Sequence, residues 1–317
     1  MESVVGGDFV SVKGVSCDEK FGGGRVMRYT TATSNPSGPI TNMDQKPVTN
    51  TRWRRVVFKI SGDALAGTDS GNIDPKVAML IAREVSMACH NGVEVAIIVG
   101  GRNLFYGDTW EEATNLDRST SYQIGGKLLV CGYRLHILSM DKASSIGLMV
   151  ATVMNSILLK STFEKLGVQA RVLSAFCMPE VSEPYNRQRA IRYLEKGRVV
   201  IFGGTGAGSG NPLFSTDTVA ALRASELHAD AVIKGTNLLD IDEGDSIGSV
   251  TYEHISFREF ASKSASVFDM TAAAFCEENE IPVVIFDLHE PGNISRALCG
   301  ERIGTLIDQR GDWSNLM

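Results

Sequence analysis

Apolar residues in this chain fall into short, nearly unbroken runs that end at glycine or a polar residue, with helically spaced stretches between them. Val56-Val57-Phe58-Lys59-Ile60 is such a run, closed by Ser61-Gly62. Val93 to Val99 is another, closed by Gly100-Gly101, and Arg198-Val199-Val200-Ile201-Phe202 is a third, closed by Gly203-Gly204. Runs without strict alternation read as strands buried on both faces. Between the first two, Asp74 to Asn91 predicts a helix: Asp74 can cap it, Pro75 occupies the first helical position, and Val77, Leu80, Ile81 and Val85 recur on one face. The pattern repeats downstream. A helix over Asp217–His228 precedes a strand at Ala231-Val232-Ile233-Lys234, and a helix over Asp269–Asn279 precedes Pro282 to Asp287, read as the last core strand. Alternation of this kind predicts an α/β fold, a three-layer α/β/α sandwich around a mainly parallel sheet.

In open parallel sheets ligands bind at the carboxyl ends of the strands. The glycines Gly62, Gly100, Gly101, Gly203 and Gly204 fall at those ends, where a missing Cβ lets backbone approach a ligand closely. Ala207 to Thr218 is a glycine-rich turn running through Asn211-Pro212 into Ser215-Thr216-Asp217, three good caps for the following helix. A capped helix start presents free N–H groups and favours an anion such as phosphate. Neither a G-x-x-x-x-G-K-[ST] loop nor a G-x-G-x-x-G after a strand is present, so a P-loop enzyme and a dinucleotide dehydrogenase are both disfavoured. Two strand-end lysines, Lys59 and Lys234, accompany Asp217 and Asp269. Cations and backbone N–H groups suit phosphoryl transfer, which asks a protein mainly for positioning and charge neutralisation.

Composition narrows the partners. The chain has 317 residues and a net charge of −6, which argues against a nucleic-acid binder. Its six cysteines are scattered without a C-x-x-C pair, as in a reducing compartment, and its five histidines are isolated, so no protein metal site is expected. The longest apolar stretch, Gly147 to Leu159, is interrupted by Thr152, Asn155 and Ser156, and no membrane span is expected. Residues 1–50, rich in Gly, Ser, Thr and Asn, read as a disordered leader. Their 5 basic and 5 acidic residues make a poor transit peptide. The expected compartment is cytoplasm or plastid stroma, and the expected domain spans residues 51–310.

Several runs in order resemble one family: Lys59-Ile60-Ser61-Gly62-Asp63-Ala64-Leu65, Gly100-Gly101-Arg102-Asn103-Leu104-Phe105, Ala151-Thr152-Val153-Met154-Asn155, Gly210-Asn211-Pro212-Leu213-Phe214-Ser215-Thr216-Asp217 and Asp269-Met270-Thr271-Ala272. Together they resemble bacterial-type uridylate (UMP) kinases of the amino-acid kinase superfamily, over about residues 53–308. Glu183 to Arg192 and Glu290 to Ile294 resemble the plant branch. The resemblance implies the amino-acid kinase fold, a homohexamer, and transfer of phosphate from ATP to UMP with Mg²⁺. It implies Lys59, Asp217, Lys234 and Asp269 as the catalytic group. It implies Lys59, Ile60, Ser61, Gly62, Arg102, Tyr106, Thr236, Asp242 and Asp245 on the ATP side. On the UMP side it implies Gly101, Tyr122, Ser209, Gly210, Asn211, Pro212, Leu213, Phe214, Ser215 and Thr216.

The chain departs from the family text at named positions. Arg102 stands for a third glycine, Tyr106 for a phosphate-facing arginine, Tyr122 for the ribose aspartate and Asp242 for an adenine-side aromatic. Gly126 to Gly147 interrupts a helix that the family continues. Deleting it joins Gly125 to Leu148, and Gly126-Lys127 can be encoded by GGTAAG, which contains a splice donor; a translated intron is therefore one expectation, a grafted surface loop the other. The alternative to a UMP kinase is a catalytically weakened kinase-fold paralogue that binds nucleotide or RNA, or co-assembles with an active homologue, without useful turnover.

Overall fold

Strand β1 (Arg55–Ile60) is buried along its whole length, and its side chains alternate between two separate cores. Val56, Phe58 and Ile60 point into one, Val57 into the other, so the two-residue period of a strand puts Lys59 on the Val57 side. In this computed structural model the described residues are 51–66, 73–104, 141–175, 177–204, 215–237, 253–262 and 267–311, with the backbone alone over 141–148. The expected leader, 1–50, lies outside them.

The other strands are β2 (Glu94–Val99), β3 (Ala170–Ser174), β4 (Glu183–Pro184), β5 (Val199–Gly203), β6 (Ala231–Thr236), β7 (Glu253–Ser256), β8 (Val283–Asp287) and β9 (Thr305–Asp308). They form one sheet in the order β4-β3-β5-β2-β1-β6-β8-β9-β7. Every neighbouring pair is parallel except β8 with β9. Val283–Asp287 is therefore not the last strand of the sheet: β9 pairs antiparallel beside it and carries β7 on its far side. Four residues, Thr305 to Asp308, are too short a run to separate from a loop until a partner strand is in place.

Helices cover both faces. On the first lie α2 (Pro75–His90), α3 (Asp141–Lys165) and α8 (Asn293–Cys299), which contribute Val77, Ile81, Val85, Leu159, Phe163, Ile294 and Leu298 to one core. On the second lie α4 (Arg187–Glu195), α5 (Thr216–Leu227), α6 (Phe257–Ser262) and α7 (Met270–Glu278), with Leu194, Val219, Leu227, Phe260, Ala272 and Cys276 in the other. The short α1 (Gly62–Ala66) follows β1 directly. The sandwich expected from the alternating pattern is the observed architecture. Helix α2 has the expected ends: the Asp74 carboxylate accepts from Lys76 N–H at 2.7 Å, Pro75 opens the helix, and Asn91 closes it. Of the segment 126–147, residues 126–140 lie outside the described residues, whereas the backbone over 141–147 is helical and continuous with the rest of α3. No helix among the described residues is long and apolar enough to cross a membrane.

Candidate active site

Parallel pairing brings the carboxyl ends of β1, β2, β5, β6 and β8 to a single edge of the sheet. The turns there are in backbone contact. Gly100 N–H donates to Ile60 C=O at 2.9 Å, and Ser61 N–H donates to Gly235 C=O at 3.1 Å. A Cβ added at Gly62 would lie 2.6 Å from Arg102 N, and one at Gly100 would lie 2.6 Å from Gly62 N. Both glycines are thus required by close approach, since no side chain fits between the two turns.

Beneath this edge lies a buried charge cluster. Lys59 and Lys234 are Cα partners across β1 and β6, so both ammonium groups emerge on the second face, toward α5. Asp217, in the first turn of α5, lies between them. Lys59 Nζ is 2.7 Å from Asp217 Oδ1 in an ion pair, and Lys234 Nζ donates to Oδ2, also at 2.7 Å. Lys234 also donates to the Val267 carbonyl, and its ammonium lies 5.4 Å from the centre of the Phe268 ring. All three residues are 6–7% exposed. Burial opposes the ionised form of Asp217, but the two ammonium groups outweigh it and hold the carboxyl well below the usual carboxylate range. For Lys234, burial and then the Lys59 charge outweigh the attraction of Asp217, and its pKa is pushed down to about 7. With both lysines protonated, two cations share the one Asp217 carboxylate, so the Lys59–Asp217–Lys234 triad has a net positive charge in poorly hydrated surroundings, and a further anion would balance it.

Two helix starts add to this field. Ser215 Oγ accepts from Thr218 N–H at 3.1 Å and caps α5. Asp269 caps α7, accepting from Thr271 N–H at 2.7 Å, while its own N–H donates to Asp217 Oδ2 at 3.2 Å. The positive ends of α5 and α7 therefore converge on the Lys–Asp–Lys cluster. Burial would raise the Asp269 pKa, but hydrogen bonds from Ser215, Thr271 and Ala272 lower it overall.

The edge is tied to α3 by buried polar side chains. Asn155 Nδ2 donates to Gly100 C=O at 2.7 Å and to Asn103 Oδ1 at 2.7 Å, and Asn103 Nδ2 returns a bond to Asn155 Oδ1 at 3.1 Å. Thr152 Oγ1 accepts from Gly204 N–H at 2.8 Å, beyond the end of β5. Ser156 Oγ donates to Thr152 C=O at 2.7 Å. None of these had a role assigned from sequence alone. Asn103, Thr152 and Asn155 stand in runs that carry the family resemblance, and Thr152, Asn155 and Ser156 also break an apolar run at helical spacing, so their polar groups require buried partners.

Among the residues expected to act, the structure gathers Lys59, Asp217, Lys234 and Asp269 into one cluster. It sets Ser61 and Gly62 against Gly101 and Arg102, with Arg102 exposed. Ile60 is in the core rather than at the surface of the edge. Thr236 ends β6, where its carbonyl accepts from Leu288 N–H at 3.1 Å. Ser215 and Thr216 open α5. Tyr106, Tyr122, Ser209, Gly210, Asn211, Pro212, Leu213, Phe214, Asp242 and Asp245 lie outside the described residues.

Residues 54–287 match the model of the amino acid kinase family. The chain is 49% identical over 269 residues to the chloroplastic uridylate kinase PUMPKIN of Arabidopsis thaliana, an alignment spanning 84% of this chain and 71% of that protein. Among solved structures it resembles the UMP kinase of Bacillus anthracis, with a TM-score of 0.64 at 27% identity over 81% of this chain and 97% of the other. It also resembles the UMP kinase of Ureaplasma parvum, with a TM-score of 0.63 at 26% identity over 84% of this chain and all of the other (100%).

Proposed function

The chain belongs to the amino acid kinase family, and from that premise we propose that it is a UMP kinase, transferring the γ-phosphoryl group of ATP to UMP to give ADP and UDP. The observation that carries this reading is the buried Lys59–Asp217–Lys234 cluster at the carboxyl edge, with its surplus positive charge. In transfer between two phosphates the acceptor oxygen is already largely ionised near neutral pH, so no general base is needed. What the reaction needs is alignment and stabilisation of negative charge on the transferring group. Lys59 and Lys234 supply that charge. Asp217 holds both ammonium groups in place, and the starts of α5 and α7 add aligned N–H dipoles. Ser61 and Gly62 hold the ATP phosphates, and Gly101 with the segment from Ser209 to Thr216 holds UMP, as the relatives' names suggest for the acceptor.

ATP carries Mg²⁺ in this reading. Magnesium keeps waters and takes phosphate oxygens, so it asks little of the protein. Asp217 is held between two ammonium groups, and the half-buried Asp269 is the carboxylate left in the cluster to approach the ion. When bound, the ion neutralises charge on the β- and γ-phosphates. We place the protein in the plastid, as the name of the Arabidopsis relative suggests, and as a homohexamer. Exposed Met154 and Leu158, one helical turn apart on α3, are suited to a subunit contact.

A coupled assay of the purified protein with UMP, CMP and AMP, with and without Mg²⁺, tests the reading. Magnesium-dependent ADP release with UMP, abolished in Lys59→Ala, is expected. Nucleotide binding without turnover on UMP would overturn it in favour of a non-catalytic paralogue.

A further inference from the structure

His289 stands just beyond the end of β8 and reaches across the carboxyl edge to α1. Its Nε2 lies 3.1 Å from Ala64 C=O, and its Nδ1 lies 3.6 Å from Asp287 Oδ1. The same Oδ1 accepts from the His289 backbone N–H at 3.0 Å, which anchors the loop that carries the ring. A carbonyl only accepts, so Nε2 carries the hydrogen. The contact matters because α1 has five residues, and the last four carbonyls of any helix lack partners within it. Leu65 C=O is met by Asp74 N–H at 2.8 Å, and Ala64 C=O by His289. Ala64 is fully buried, where an unpaired carbonyl is costly.

We propose that His289, oriented by Asp287, is a positioning residue for the phosphate donor: it holds Ala64 and so sets the Ser61–Gly62 turn against Gly100–Arg102. This rests on the reading above that Ser61 and Gly62 face ATP. The turn is fixed at both ends. Ser61 N–H is bound to Gly235 at its start, and Ala64 to His289 at its end. Asp287 is the Cα partner of Thr236, and Leu288 N–H bonds Thr236 C=O at 3.1 Å, so the His289 loop is also joined to the strand that carries Lys234. His289 thereby couples the positions of the two lysine-bearing strand ends without touching the Lys–Asp–Lys cluster.

The test is calorimetric titration of the full chain with ATP, alongside steady-state kinetics varying ATP and UMP separately. His289→Ala is expected to weaken ATP binding about fivefold, the effect of one lost hydrogen bond, while leaving the KM for UMP unchanged. His289→Gln, which keeps a donor, is expected to recover most of the affinity. Parallel losses for both nucleotides, or no recovery with glutamine, would mark a merely structural role and overturn the proposal. Full UMP phosphorylation with ATP affinity indifferent to His289 overturns this role and leaves the kinase reading standing. His289-dependent ATP affinity with no UMP phosphorylation does the reverse.

Discussion

Lys59 and Lys234 are directly paired across two parallel strands, and each ammonium lies 2.7 Å from a different oxygen of the same carboxylate, that of Asp217. Like charges do not occupy paired, buried positions unless an anion separates them. Here Asp217 does so only in part, since one carboxylate faces two cations.

That imbalance separates stability from activity. Asp217→Asn leaves two buried ammonium groups without their anion and is expected to cost about 3–5 kcal/mol in urea unfolding. Lys59→Met removes one of the competing cations while Asp217 keeps Lys234. It is expected to leave stability near or above that of the parent and to lower kcat on the order of 10²–10³-fold. Because the Asp217 pKa is depressed on folding, its contribution is fully present above the ordinary value of 3.8 and is lost as pH falls below it. Acid unfolding that matches Asp217→Asn in position and depth would show the cluster to be unimportant for the fold.

Lys234 sets a pH dependence of opposite hand. With its pKa at about 7 in the free protein, it loses its proton as pH rises, so kcat/KM is expected to fall on the alkaline side of about 7. Bound phosphates restore the charge-stabilising environment, and the break in kcat is expected at higher pH. A kcat/KM profile flat to pH 9 would remove the charge on Lys234 from the mechanism.

Asn155 links α3 to the β2 turn through Gly100 and Asn103. Asn155→Ala removes the side-chain bonds to the Gly100 carbonyl and to the buried Asn103 amide. It is expected to cost about 1–3 kcal/mol by thermal unfolding and to raise the KM for UMP, because the Gly100–Arg102 turn loses its anchor.

Met154 and Leu158 are 41% and 48% exposed on α3, and Met87 is 57% exposed on the neighbouring α2. If the proposed homohexamer forms through this face, Leu158→Glu is expected to lower the mass in sedimentation or light scattering while leaving the circular dichroism unchanged. An unaltered mass would place the subunit contact elsewhere.

The segment 126–147 yields to sequencing of the transcript. A message joining the codons of Gly125 and Leu148 is expected. The shortened protein would lose 141–147 from the start of α3 but keep its buried residues Met149, Val153, Leu159 and Phe163. A spliced message that retains these codons would establish the segment as part of the enzyme.

The elements and their faces were legible where the chemistry is local. The Asp74-Pro75 start of α2, the apolar runs of β1, β2, β5, β6 and β8, and the glycines at their ends are properties of neighbouring residues. Strands β3, β4, β7 and β9 were not, because their few residues mix polar with apolar positions instead of forming an unbroken apolar run, and they become strands only through the partners they meet. For Asn155 and Thr152 the sequence showed polar groups in an apolar helix but not their partners, Gly100 and Gly204, roughly fifty residues away along the chain.

Period and punctuation alone sufficed for an alternating parallel α/β chain with phosphate-ready strand ends, since helix spacing, strand alternation and glycine conformational freedom act over a few residues. Register did the rest. That Lys59 faces Lys234 rather than a neighbour, that Asp217 falls between them, and that His289 reaches Ala64 depend on which strands lie side by side and on how they are aligned. Those alignments come from the joint packing of two cores against the sheet, which no local segment contains.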